Sequence, residues 1–360
     1  MPHLFEPLQL RSVTLKNRIG IPPMCQYSAT DGLANDWHAI HYGSRAVGGA
    51  GLLIVEATAV TPVGRISPGD LGLWNDAQIA PLAHIAQLSR SQGCVPAIQL
   101  AHAGRKASVG LGWGEQRTLT PVEGGWSTVA PSALSFGEGY AVPQAMSLAE
   151  IGEVIDHFAA ATRRALAAGF QAVEIHAAHG YLLHQFLSPL ANQRTDAYGG
   201  SFENRTRLVR EVVTAVRAIW PDDLPVLVRL SATDWVEGGW SAEETVELCR
   251  LLKAQGVDLI DVSTAGLVPT AKIPVGAGFQ TEFAARIRSA ADLPTAAVGL
   301  ITSAEQADHI VRSGQADLVL VGREVLRNPY WPLQAAATLR QTPVWPAQYL
   351  RAAPSGATAR

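Results

Sequence analysis

The chain has 360 residues, of which 48% are hydrophobic and 16% charged, and it carries a formal net charge of −3. That composition describes a globular protein and excludes a disordered one. The charge gives no electrostatic reason to expect nucleic acid or an anionic membrane as a partner, and no apolar run approaches the roughly 20 residues of a membrane span.

The start, Met1-Pro2-His3-Leu4-Phe5-Glu6-Pro7, has no basic segment leading into an apolar stretch, so no signal peptide is expected. Strand candidates follow at 18–22, 51–56 and 95–100. A long Gly- and Pro-rich connection then runs from Leu100 to Ser147. In a compact domain a connection of that length is functional or forms a small subdomain. The capping box Ser147-Leu-Ala-Glu150 opens a helix with Ile151, Val154, Ile155 and Phe158 on one face. That helix stops near Gly169, and strands are expected at 172–176 and 224–229. Ser241-Ala-Glu-Glu244 starts the next helix, which ends near Gly256 before a strand at 259–262. A strand at 295–298, a helix from Ser303-Ala-Glu-Gln306 to Gly314 and a strand at 318–321 complete the series.

Strands alternating with helices imply βαβ units and a parallel sheet. Continuous apolar strands suit an α/β protein of the single (β/α)8, or TIM, barrel type, whose sheet is covered on both faces. A doubly wound sheet would want Gly-x-Gly-x-x-Gly after an early strand, and none is present. The barrel is expected over 1–342, with a cap over about 103–146 above the C-terminal ends of the strands, and a tail over 343–360 that frays from Ala352. Three scattered cysteines, Cys25, Cys94 and Cys249, fit neither a disulfide framework nor a metal or redox Cys-x-x-Cys, and reducing cytoplasm is the expected compartment.

In such a barrel the polar residues just past the strand ends carry function. Gly299 and Gly322 follow the last two strands, with Arg323 adjoining and Arg229 near in barrel order. Either glycine alone could simply end a strand, but the group suits a phosphate. His176, His179 and Tyr181 follow the fourth strand. The two histidines read as buried structural groups, as ligands of a metal-dependent hydrolase, or as paired hydrogen-bond donors to a substrate oxygen with the tyrosine delivering a proton. Spacing leaves all three open. Cys25 at the first strand end reads equally as a small buried hydrophobe.

Together the motifs Asn17-Arg18, Pro23-Met24-Cys25-Gln26-Tyr27, Val55-Glu56-Ala57-Thr58, the run Gln99 to Lys106, His176-Ala-Ala-His179-Gly180-Tyr181, the run Arg194 to Ser201 and Leu320-Val321-Gly322-Arg323 resemble the old yellow enzyme family of FMN-dependent ene-reductases. Cys25 and the His/His pair are similar to its bacterial YqjM-like, or thermophilic-like, branch. The resemblance implies that Pro23, Met24, Cys25, Ala57 and Gln99 lie at the flavin ring, with Cys25 tuning its reactivity and Arg229 at its electron-rich edge. It implies that Gly299, Gly322 and Arg323 hold the FMN phosphate. His176 and His179 would bind the carbonyl or nitro oxygen of an activated alkene, Tyr181 would protonate its α-carbon, and Tyr27 would line the pocket. NADPH or NADH would reduce FMN and leave before the alkene enters, in ping-pong fashion. Arg351 would complete the pocket of a neighbouring subunit, in a homodimer or a dimer of dimers.

Overall fold

The computed structural model describes residues 2–342 and 344–359. Among these, eight parallel strands close a barrel: β1 (Ile19–Ile21), β2 (Leu52–Ala59), β3 (Val95–Ala101), β4 (Ala172–Ala177), β5 (Val226–Ser231), β6 (Leu259–Ser263), β7 (Thr295–Ala297) and β8 (Leu318–Leu320). Each strand pairs with the next, and β8 closes on β1 through Val319 opposite Ile19. Helices α1 (Asp36–Val47), α2 (Ile79–Ser91), α3 (Leu148–Ala167), α4 (Phe202–Arg217), α5 (Ala242–Ala254), α6 (Thr281–Ala291), α7 (Ala304–Arg312) and α8 (Trp331–Thr338) form the outer ring. The fold is a (β/α)8 barrel.

Each strand serves two cores, which is why it reads as an unbroken apolar run. Val173, Ile175, Val226, Val228, Leu230, Ile260 and Val262 face the helices. The alternate residues Leu52, Ile54, Val95, Ala97, Ala172, Leu227, Leu259 and Leu318 fill the barrel's interior. An antiparallel hairpin, Leu8–Leu10 with Val13–Leu15, sets Leu8, Leu10, Val13 and Leu15 into that inner cluster and plugs the N-terminal end. Burying four such side chains contributes about 1.5–3 kcal/mol apiece when burial is complete.

The helix starts obey local capping chemistry. Ser147 with Glu150 and Ser241 with Glu244 form reciprocal capping boxes on α3 and α5. On α7, Ser303 takes the Gln306 N–H, while the Gln306 amide oxygen accepts from Thr302 instead. Losing one such cap costs about 1 kcal/mol.

Between β3 and α3 the chain makes two 3-10 turns, Gly104–Lys106 and Pro121–Glu123, and a small parallel pair, Val129–Ala130 with Gln144–Ala145. Side-chain bonds tie this segment to loops at the C-terminal ends of several strands. Arg105 donates to Leu134, Ser135 and Leu267 carbonyls, Arg194 to that of Pro131, and the Trp126 indole to that of Val63. At the other end of the chain, the expected division at 342/343 falls on Pro343, which lies outside the described residues, as do Met1 and Arg360. In the C-terminal segment Thr358–Ala359 pairs with Val344–Trp345, and Tyr349 packs edge-on against Tyr330. Among the described residues no helix is long and apolar enough to cross a membrane.

Candidate active site

Above its apolar floor the barrel interior turns polar. Gln99 on β3, Glu174 and His176 on β4, Arg229 on β5 and Asp261 on β6 continue the inward register and are all buried. The Gln99 amide donates to Glu174 Oε1 at 2.8 Å. Burial, and then the neighbouring Asp261 charge, raises the Glu174 carboxyl well above the usual range and favours its neutral form. Asp261 is pushed up to about 6 by burial, against the pull of Arg229. It therefore stays ionised at neutral pH beside Arg229 Nε, 2.9 Å away. Neither that Nε nor the Asp261 oxygens gain an aligned hydrogen bond among the described residues, so the contact is held by charge alone.

The turn after β4 is braced from several directions. His179 takes a left-handed backbone (φ +58°), Gly180 follows at φ +72°, and Tyr181 caps a short helix, Leu182–Leu187. A side chain at Gly180 would have its Cβ 2.1 Å from the Gly266 carbonyl oxygen. The His179 N–H donates to Ser231 Oγ, the Gly180 N–H to His184 Nδ1, and His184 Nε2 lies 3.0 Å from Asp234 Oδ1. Lys106 Nζ donates to the carbonyls of His179 and Gly266, and sits 5.0 Å from the Tyr181 ring centroid. Burial brings that ammonium down to about 8.

Rings in this turn converge. His176 stands 5.3 Å from His179 and 5.0 Å from Tyr181, centroid to centroid, edge-on to each. Burial, and then the Arg229 charge, lowers both imidazoles far below their usual value, so they are neutral. His176 Nδ1 accepts from the Ala178 N–H, which puts the ring proton on Nε2. Ser263 Oγ lies 2.7 Å from His179 Nε2 and also donates to Gln280 Oε1 at 3.5 Å, an oxygen that accepts from Thr264 at 2.6 Å as well. The neutral His179 ring keeps one N–H, on Nδ1 when the serine hydroxyl donates to Nε2. Two neutral N–H donors thus stand beside a phenol whose proton burial holds firmly.

The loop after β1 forms another wall. Pro23, Met24, Cys25 and Tyr27 are half-buried there. Glu56 at the β2 bulge anchors this loop, accepting from the Gln26 N–H at 3.1 Å and the Tyr42 hydroxyl at 2.6 Å. Burial raises Glu56 to about 8. Burial also raises the Cys25 thiol, with the Asp70 and Glu56 charges adding, so Cys25 is a thiol and not a thiolate. Tyr27 packs edge-on against Trp113 from the insertion, at 6.1 Å. Ala57 and Tyr181 line one small gap between this wall and the β4 turn.

At the β7 and β8 ends, Arg229, Ser263, Gln280, Gly299, Gly322 and Arg323 line one cavity of about 240 Å3. Gly299 has φ +126°, which a residue with a Cβ rarely adopts. Gly322 leads into the short helix Arg323–Arg327 with no side-chain cap among the described residues, and a Cβ there would stand 3.8 Å from Met24 Sδ. The Arg323 side chain is exposed. Arg351 stands apart from all this, exposed on a 3-10 turn, Ala347–Ala352, of the C-terminal segment.

These features fit FMN: glycine backbone and Arg323 for its phosphate, and a buried polar layer from which Arg229 lines the cavity for a polar ring edge. They suit a metal poorly. Arg229 and Lys106 both raise the positive potential at the histidines, and no group of three His, Cys, Asp or Glu among the described residues could hold an ion. Glu174, Asp261, Lys106, His184 and Asp234 are site residues to which sequence reasoning gave no role. The available signal was a lone acid inside a β-branched run, as in Val173-Glu174-Ile175 and Ile260-Asp261-Val262.

Residues 3–342 match the profile of the NADH:flavin oxidoreductase / NADH oxidase family. An NADPH dehydrogenase of Listeria welshimeri is 49% identical over 354 residues, covering 98% of this chain and 99% of the relative. Among solved structures, morphinone reductase in complex with tetrahydroNAD is similar with a TM-score of 0.78 at 29% identity, covering 97% of this chain and 94% of that one. 2-Naphthoyl-CoA reductase with 2-naphthoyl-CoA reaches a TM-score of 0.83 at 26% identity. The match covers 94% of this chain but only 52% of that larger protein.

Proposed function

Because this chain belongs to the NADH:flavin oxidoreductase / NADH oxidase family, the old yellow enzymes, and is an FMN enzyme that draws electrons from NAD(P)H, we propose that it reduces the activated C=C bond of α,β-unsaturated carbonyl or nitro compounds. FMN, when bound, supplies a centre that takes hydride from the nicotinamide and passes it to the alkene. The protein's own part is binding, orientation and proton delivery. The observation that carries the reading is the pair of neutral imidazoles, His176 and His179, 5.3 Å apart with His176 5.0 Å from the Tyr181 ring.

Two neutral N–H groups aimed at one carbonyl or nitro oxygen stabilise the negative charge that develops there as hydride reaches the β-carbon. Neutrality matters, since a protonated pair would repel Arg229 and Lys106 and would bind anions indiscriminately. Tyr181, beside His176, then gives its phenolic proton to the α-carbon and is restored from solvent. The Lys106 ammonium over the Tyr181 ring favours the transient phenolate. Tyr27 lines the substrate side of the pocket, and Cys25, as a thiol, packs at the flavin. Gln99 and Arg229 serve the ring edge, while Gly299, Gly322 and Arg323 serve the phosphate. Arg351, exposed on its own chain, completes the pocket of a second subunit in a homodimer or dimer of dimers.

Steady-state NADPH oxidation with 2-cyclohexenone tests the reading. Parallel double-reciprocal lines are expected, because both substrates use one site in turn. Intersecting lines, or no enone-dependent turnover, would contradict it.

A further inference from the structure

The barrel's polar layer holds a charge that the proposed chemistry leaves unused. Arg229 is 6% exposed and lines the cavity, and behind it Asp261 is fully buried. The two lie opposite each other on β5 and β6, 2.9 Å apart through Nε and Oδ2. Asp261 has no aligned hydrogen bond to any described residue, so nothing else there offsets its charge. The other acid of the layer, Glu174, bonds the Gln99 amide and faces no cation so closely. Burial favours the neutral form of Glu174 and of both histidines, so the Arg229–Asp261 pair is the charged element of the layer.

We propose that Asp261 is a positioning residue that sets how readily the bound FMN accepts electrons, by aiming the Arg229 guanidinium into the cavity and offsetting its positive charge. The inference rests on the reading that Arg229 lies at the flavin ring. A lone buried guanidinium would pull electron density into the ring and make FMN a stronger oxidant. Such a flavin takes hydride from a nicotinamide easily and gives it to an alkene reluctantly. The paired acid moderates the pull, so that both half-reactions run downhill. Water does not screen the two charges here, so removing either one is felt at the cofactor.

The midpoint potential of bound FMN, measured by anaerobic dye-equilibrated titration of the purified holoenzyme, tests this without reference to turnover. Asp261→Asn should raise the potential, with at least about a tenfold shift in the equilibrium toward reduced flavin, about 30 mV for a two-electron couple. Glu174→Gln should move it less, because Asp261 and not Glu174 lies against the Arg229 guanidinium. Arg229→Gln should lower it, because the guanidinium lines the cavity, and adding Asp261→Asn to Arg229→Gln should change little, because burial leaves Asp261 neutral without its cation. Should the uncompensated arginine of Asp261→Asn prevent folding, Asp261→Glu, which keeps the charge on a longer side chain and displaces the guanidinium, should still shift the potential, and an unmoved potential there counts against the inference.

A potential that moves in Arg229→Gln but not in Asp261→Asn overturns the inference about Asp261. A potential unmoved in Arg229→Gln overturns the placement of Arg229 itself. An equal rise in Glu174→Gln would show the charge to be shared by both acids, and would overturn its assignment to Asp261 alone.

Discussion

The two ends of the site solve the same problem, holding polar atoms still in a buried place, by opposite means. At the β7 and β8 ends the backbone does the work: Gly299 adopts φ +126°, and the cavity wall is bare of side chains there and at Gly322. At the end of β4 the backbone is equally unusual, with His179 at φ +58°, but side chains hold it in place. Ser231, His184 backed by Asp234, and Lys106 each secure one peptide group of the turn. The difference follows from what each end is proposed to do. A phosphate needs room and N–H groups, which glycine gives by omission. Two imidazoles and a phenol need fixed tautomers and fixed angles, which only further side chains can impose.

If the comparison holds, the β4 turn should be the more costly place to disturb for chemistry, and the β7–β8 end the more costly for cofactor. The largest effect is expected from His176→Ala or His179→Ala. Losing one donor to a developing oxyanion should slow alkene reduction by about 10²–10³-fold, as removal of an oxyanion-hole donor does elsewhere. Flavin absorbance and reduction by NADPH should persist, and stopped-flow traces of the two half-reactions would separate these steps. Tyr181→Phe comes next, slowing only the oxidative half-reaction by about a hundredfold, the low end for a general acid, and less where the product anion takes its proton from water. A loss of FMN from that variant would break the assignment.

Gly299→Val should spare the chemistry per bound flavin and weaken FMN itself. A side chain held near φ +126° costs on the order of 1–3 kcal/mol, or about 10–100-fold in affinity, measurable by fluorescence titration of apoprotein. The last effect is on stability alone, without change to the chemistry, and sharpens the contrast at the β1 wall. Glu56 is raised in the fold to about 8, so its contribution to stability is complete below its unfolded value and is lost as pH climbs through about 8. Glu56→Gln keeps an acceptor for the Gln26 N–H, places an NH2 donor against the Tyr42 oxygen, and cannot ionise. Between pH 5 and 8 wild type should lose up to a few kcal/mol relative to the variant, seen as converging or crossing urea midpoints. Parallel midpoints would mean that Glu56 never carries a buried charge.

Much of this architecture is legible in the sequence, for a physical reason. Every barrel strand faces two apolar environments, so it stands out as a run of Val, Ile, Leu and Ala between capped helices. The N-terminal hairpin does not stand out, because three-residue strands such as Leu8–Leu10 and Val13–Leu15 are too short to show a period. The strand-end residues His176, His179, Tyr181, Gly299 and Gly322 are visible as polar or small letters at the ends of apolar runs. The acids beneath them are hidden within those runs. Glu174 and Asp261 give no sign of which partner neutralises them, since Gln99 and Arg229 lie on neighbouring strands and meet them only once the sheet closes. Arg105 and Lys106 mislead in the other direction. Two adjacent cations read as solvent-facing, yet Arg105 is buried and the Lys106 ammonium bonds two backbone carbonyls beneath the insertion.

The central claim is that one cavity serves a flavin, a nicotinamide and an activated alkene in turn. Its most direct test is the visible spectrum of the purified protein in an anaerobic cuvette, given NADPH and then 2-cyclohexenone. Flavin bands that bleach with the first addition and return with the second are the predicted result. Bands that bleach and stay bleached when the enone is added would contradict the proposed reaction, and would leave the His176–His179–Tyr181 turn without the alkene substrate assigned to it.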